Sequence, residues 1–192
     1  MKKEFLKENY SACWKFLKEI EWYIVFALGI FTLTFLVGFT FPIFFKEEII
    51  KFITEMIASL DGKSTIELIT FIFLNNAQAS LMAILLGIGL GIFPLITTVI
   101  NGYLLGFVAR KIVSQEGLLV LWQLLPHGIF ELPAVFFSIG IGIKIGTDLF
   151  KKDTKEKLKH DFKEGIRFFV FVIFPMLLIA GIIEGVLIKV LG

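Results

Sequence analysis

Residues 22–45, WYIVFALGIFTLTFLVGFTFPIFF, contain no charged side chain. The hydrocarbon core of a bilayer is about 30 Å thick and needs about 20 apolar residues of α-helix to cross, so this run is long enough for one crossing. Trp22 and Tyr23 open it, amphipathic rings suited to the headgroup level. A cleaved signal peptide is not expected. About twenty charged and aromatic residues precede the run, its apolar core is too long, and no small-residue cleavage site follows.

The rest of the 192 residues extends this reading. Hydrophobic residues make up 57% of the chain and charged residues 19%, with a mean hydropathy of +0.87. No soluble domain of this size has such a composition. The length leaves room for one bundle of membrane helices and not for a second globular domain. Cys13 is the single cysteine, which excludes an intramolecular disulfide.

Upstream of Trp22, the residues Leu6, Tyr10, Cys13, Leu17 and Ile20 recur at helical spacing among lysines and acids. The spacing predicts an amphipathic interfacial helix over 1–21, followed by a single transmembrane domain over 22–192. Residues 46–60 form a second amphipathic stretch, closed by the turn Asp61-Gly62-Lys63-Ser64. From Ile66 to Ala109 only Glu67 is charged, which suits a hairpin dividing between Phe93 and Pro94, since proline favours a first helical turn. Leu118 to Ile143 and Phe168 to Leu191 are apolar again, the last carrying Pro175 as an expected kink and Glu184 deep within it. Crossings near 22–45, 66–93, 94–111, 118–146 and 168–190 give an all-α, polytopic transmembrane helical bundle in a cell membrane. With the amino terminus and the 147–167 loop on the cytoplasmic side, together with Lys144 just before that loop, 13 of the 19 Lys and Arg residues lie inside, as the positive-inside rule requires.

Two apolar regions share an unusual plan. Ile66 to Leu74 is half a crossing long before Asn75-Asn76-Ala77-Gln78, and Leu118 to Leu125 is similarly short before Pro126-His127-Gly128. Both read as interrupted segments, a half-helix followed by a glycine-rich helix, the arrangement that marks transporter binding sites. The chain has four Asn and three Gln, yet Asn75, Asn76, Gln78, Asn101 and Gln123 all fall within or beside apolar segments. Amides cannot stay unpaired in hydrocarbon, so they pair between helices or line a polar cavity.

His127 and Glu131 are four residues apart and project from one face of a helix starting near Pro126. Pro133 cannot donate to the carbonyl of Ile129, so backbone oxygen should be exposed near Glu131. The pair fits a neutral structural lock, a proton relay, or a weak metal site that would need a third ligand such as Glu67, Glu184 or an amide. Gly102 with Gly106 forms a small-xxx-small surface for close helix contact.

These motifs carry a family resemblance. Asn75-Asn76, Asn101-Gly102 with Gly106, and Leu125-Pro126-His127-Gly128 followed by Glu131 and Pro133 resemble the pattern of the stage II sporulation protein M family, from about Thr65 to Gly146. The resemblance implies an integral membrane protein. For sporulating members it implies a scaffold that recruits peptidoglycan-remodelling enzymes during engulfment. It assigns no chemical role to any residue.

The resulting expectations are these. The chain is a non-enzymatic membrane scaffold or assembly factor, or else a small channel or transporter whose path passes Asn75, Asn76, Asn101, His127 and Glu131. Neither a nucleophile elbow nor a phosphate-binding glycine loop is present, and no cofactor is expected. The expected partners are membrane lipids and either a second copy, as a homo-oligomer, or another membrane protein, with no nucleic acid.

Overall fold

The computed structural model describes residues 2–118 and 125–191, with side chains at all of these except 2, 125–127 and 191. Among the described residues every regular element is helical: α1 (Lys2–Thr40), α2 (Lys46–Leu60), α3 (Thr65–Leu85), α4 (Ile92–Glu116), α5 (Leu125–Asp148), α6 (Thr154–Phe168) and α7 (Phe174–Leu191). Five helical runs are long and apolar enough to cross a bilayer: Lys3–Thr40, Thr65–Ile88, Ile92–Glu116, Gly128–Asp148 and the continuous Thr154–Val190. The protein is an all-α polytopic bundle. Successive crossings alternate in direction, so the amino terminus, the α3–α4 turn and α6 share one face, called near, and α2 lies at the other.

α1 is unbroken over 39 residues. At 1.5 Å per residue it is about 58 Å long, roughly twice the hydrocarbon thickness. Residues 2–21 therefore continue the crossing helix without a break at residue 21. The apolar positions seen in sequence are spent on protein: Cys13, Phe16 and Ile20 are buried against Phe168, Phe169 and Ile173 of the α6–α7 run. Packing against α6 gives the amphipathic stripe a partner other than lipid.

The crossing expected over 22–45 ends at Thr40. The turn that follows is pinned by Tyr103 of α4, whose hydroxyl accepts from the Phe44 backbone N–H at 3.0 Å and lies 3.0 Å from the Phe44 carbonyl, which can accept its proton. α2 has no buried residue. An outward cleft of about 770 Å³ separates it from α1 and α4 and is lined by Thr34, Phe44, Phe52, Ile100, Asn101 and Tyr103.

α3 begins at a capping box in which the Ser64 backbone N–H donates to Glu67 at 2.8 Å and the Glu67 backbone N–H donates to the Ser64 hydroxyl at 3.4 Å. Glu67 thus serves a helix end. The helix then runs through Asn75-Asn76-Ala77-Gln78 without interruption, contrary to the half-helix expected there. Intrahelical hydrogen bonds satisfy the backbone, and asparagine costs an α-helix only a few tenths of a kcal/mol. The hairpin turn falls at Gly89–Gly91, not between Phe93 and Pro94; Gly91 adopts a left-handed conformation (φ 69°), and Pro94 occupies the first turn of α4.

α5 is the central helix, touching α1, α3, α4, α6 and α7. Every residue from Ser138 to Gly146 is buried. It is helical from Leu125 onward and continues through Pro133, so Pro126-His127-Gly128 belong to its first turns. The half-helix expected over 118–125 falls largely outside the described residues. The expected disturbance at Pro175 takes the form of a π-helical turn, Phe169–Ile173, just before it. Proline has no N–H to return to the preceding turn, and a wider turn absorbs the loss.

Glycines set the interhelical distances. A Cβ added at Gly102 would overlap Thr34 and the Phe31 carbonyl of α1, and one at Gly106 would overlap the Phe35 carbonyl. Gly146 meets the backbone of Gly91, seating the α3–α4 turn against the end of α5.

Candidate functional site

The sequence reading centred on one polar set, and the structure distributes it. Asn101 lies exposed on α4, and its amide donates to the Thr97 carbonyl of its own helix at 2.8 Å. Asn75 and Gln78 are exposed on α3, whereas Asn76 and Glu131 are half-buried on helices that pack together. His127 belongs to the first turns of α5, but its side chain lies outside the described residues, as does Gln123. Among the described residues, the nearest neighbour to a Cβ added at Gly128 is Leu132 of the same helix at 3.8 Å, an ordinary contact. Three of the amides, on two separate helices, thus sit on the outer surface and do not converge on one interior cavity.

A different constellation is buried at the near face. Lys144, from the last turns of α5, forms an ion pair with Asp161 of α6 and lies 3.4 Å from Glu19 of α1. Its ammonium also stands 5.4 Å from the centre of the Phe16 ring, a cation–π distance. One turn further on, Asp148 binds Lys151 at 2.8 Å, and Lys151 donates to the Tyr23 hydroxyl at 3.2 Å. Thr147 is 3.1 Å from the same hydroxyl. His160 approaches Glu19 at 3.5 Å. Asp148 and Asp161 are each 1% exposed, which only pairing makes tolerable for carboxylates.

The local sequence explains this placement. Leu158, Asp161, Phe162, Gly165 and Phe168 follow one face of α6, and that face docks on α1 and α5. The acids are carried inward along with the hydrophobic stripe. Lys144 and Asp148 are four residues apart and leave α5 on one side, where α6 supplies Asp161. Close helix approach is made possible by Gly165, whose added Cβ would press on Ile141 at 2.9 Å.

The cluster opens onto a cavity of about 450 Å³. Asp148 Oδ2 and Asp161 Oδ1 have no hydrogen-bond partner among the described residues. Ligand atoms of Glu19, His160 and Asp161 lie within 4.8 Å of one another, close enough to share a cation. Lys144 already sits against two of the three, and a divalent ion would have to displace it and strand its buried charge. The arrangement is therefore an internal ion-pair network that fastens three helices. For Lys151, burial alone would lower the pKa, but the hydrogen bonds to Asp148 and Tyr23 outweigh it and hold the ammonium above its ordinary value.

In the sequence, residues 147–167 read only as a cytoplasmic loop, and this network was missed. One signal was available: the apolar spacing Leu158, Phe162, Gly165, Phe168 marks a buried face that contains Asp161.

Comparisons with known proteins are consistent with this architecture. The sequence profile described as Stage II sporulation protein M matches residues 23–187. An uncharacterized protein of Methanocaldococcus jannaschii is 28% identical over 130 residues, covering 65% of this chain and 57% of that protein. The chain thus spans little more than half the length of that relative. No solved structure matches.

Proposed function

Because the chain belongs to the stage II sporulation protein M family, we propose that it acts as a non-enzymatic membrane scaffold or assembly factor. The working surface in this reading is the polar annex made by residues 2–21 of α1 and by α6. The observation that carries it is the burial of Lys144, Asp148 and Asp161 between those helices. Such a network fixes α6 in one position beside the α1 extension, and a preformed surface loses little entropy on binding. Lys155, Glu156, Lys159 and Lys163 remain exposed on its outer side.

Two further features support the reading. Ser138 to Gly146, the half of α5 toward the near face, are continuously buried, and there glycines bring neighbouring backbones into contact, so that half of α5 is enclosed by its neighbours. Asn75 and Asn101 lie on the outer surface, away from any path along α5. The alternative, a small channel or transporter, draws on Asn76 and Glu131, half-buried on packed helices.

The test is site-specific photo-crosslinking in native membranes at Lys159, with Lys63 at the opposite face as control. A discrete adduct at Lys159 alone supports a scaffold; a chain that forms none and purifies as a lone monomer in mild detergent overturns it. Reconstituted vesicles are assayed in parallel. A flux of protons, metal ions or small anions that is lost in Glu131→Gln or His127→Ala would establish the alternative.

A further inference from the structure

Asn75 and Gln78 lie near the middle of α3, a 21-residue crossing helix, and both are exposed. Among the described residues neither amide has a hydrogen-bond partner. Asn101, by contrast, is satisfied within its own helix. At mid-depth in the bilayer no water can serve these groups, and each unsatisfied polar group costs several kcal/mol in a hydrocarbon surrounding. The surroundings of the amides are ordered in a specific way. Phe71, Asn75, Gln78, Met82 and Leu85 are all exposed and follow one another at intervals of four, three, four and three residues. This line, with the amides at its centre and apolar residues at its ends, has the spacing along which a parallel helix can meet it. α3 packs on α5 and α7 through its buried side, centred on Leu68, Ile72, Ala77, Ser80 and Ile84, and the line of Phe71, Asn75, Gln78, Met82 and Leu85 lies on the opposite, partly open side.

We infer that the Phe71–Leu85 face of α3 is where two copies of this chain associate, with Asn75 and Gln78 hydrogen-bonded across a twofold axis along the membrane normal. Such an axis runs the two α3 helices parallel and brings like residues together at equal depth. A carboxamide carries both donors and an acceptor, so Asn75 can pair with Asn75 and Gln78 with Gln78 without any other protein contributing a matching group. Polar amides in such a line also favour one register, because only the in-register arrangement pairs both Asn75 and Gln78. The glycines at helix contacts do not compete for the role: Gly102 and Gly106 of α4, Gly140, Gly142 and Gly146 of α5, and Gly181 and Gly185 of α7 are already packed against other elements of the same chain. The inference goes beyond the scaffold reading and holds equally for a channel.

The experiment is oxidative crosslinking of Ala79→Cys in native membranes, beside that line, with Leu33→Cys on the lipid-facing side of α1 as control. Cys13 is buried, so the wild-type chain is the blank. A disulfide-linked dimer at position 79 and not at 33 supports the proposal. Adding Asn75→Leu and Gln78→Leu should then weaken dimerisation about tenfold, as expected for the loss of two interhelical amide pairs. The monomer's thermal midpoint should not fall, because both positions face outward. The proposal is overturned by no dimer at 79, by equal dimer at 79 and 33, by an adduct with a different protein, or by undiminished dimerisation of the leucine variant. Should the leucine variant fold poorly, the single-cysteine pair still decides between a dimer and none.

Discussion

Lys144 of α5 and Asp161 of α6 form an ion pair in which both side chains are buried. The two residues belong to different helices and are joined by a turn that contains neither. The pair therefore fixes where α6 stands relative to the bundle, and Glu19 extends the same contact to α1.

Removing one member should be costly. Lys144→Met leaves Asp161 buried without its cation, and breaking a buried pair in this way costs about 3–5 kcal/mol. The double variant Lys144→Met with Asp161→Leu should recover most of that loss, since an apolar replacement of both partners leaves no orphan charge. Thermal unfolding in detergent measures both; a single variant as stable as wild type would contradict the assignment.

Lys151 gives a prediction at alkaline pH. Its pKa is raised above the ordinary 10.5 by Asp148 and Tyr23 despite the opposing effect of burial. A group whose folded pKa is raised contributes stability in full below its unfolded pKa and loses it as pH climbs through the folded value. The stability difference between wild type and Lys151→Met should accordingly be constant from about pH 7 to 10 and shrink above about pH 10.5. A difference that already vanishes near pH 8 would show that Lys151 is not held by Asp148.

Gly106→Val should separate α1 from α4. Its side chain would overlap the backbone at Phe35, which cannot rotate aside. Overpacking of this kind costs about 1–3 kcal/mol or more. Gly29 has nothing within 4 Å of an added Cβ, so Gly29→Ala should hold or raise the melting temperature by removing a helical glycine worth about 0.5–1 kcal/mol. Equal effects at both sites would refute the packing.

Tyr103→Phe removes the hydroxyl that closes the α1–α2 turn. The expected loss is about 1 kcal/mol, the ordinary value for one hydrogen bond. Amide hydrogen exchange should quicken at residues 41–45 while α5 stays protected. Unchanged exchange in that turn would show that the bond does not hold it.

The membrane class was legible because hydropathy over 20 residues is a local property that burial in lipid requires at almost every position. Helix boundaries were less so. The expected break at Asn75–Gln78 does not occur, because polar side chains on a helix do not interrupt its backbone hydrogen bonds. At residue 21 the helix simply continues, and α6 gives the amphipathic stripe of α1 a protein surface to cover, which only tertiary contact could reveal.

By itself the sequence determined the environment of this protein, its helical class, and the small-residue pairs at Gly102 and Gly106. What only the tertiary structure decided is which polar groups meet. Asp161 joins Lys144 from 17 residues away and Glu19 joins from 125 residues away, because helix packing sets those distances and sequence spacing does not. Local hydropathy records the cost of leaving water residue by residue, whereas the compensation for a buried charge comes from whichever helix the fold brings beside it.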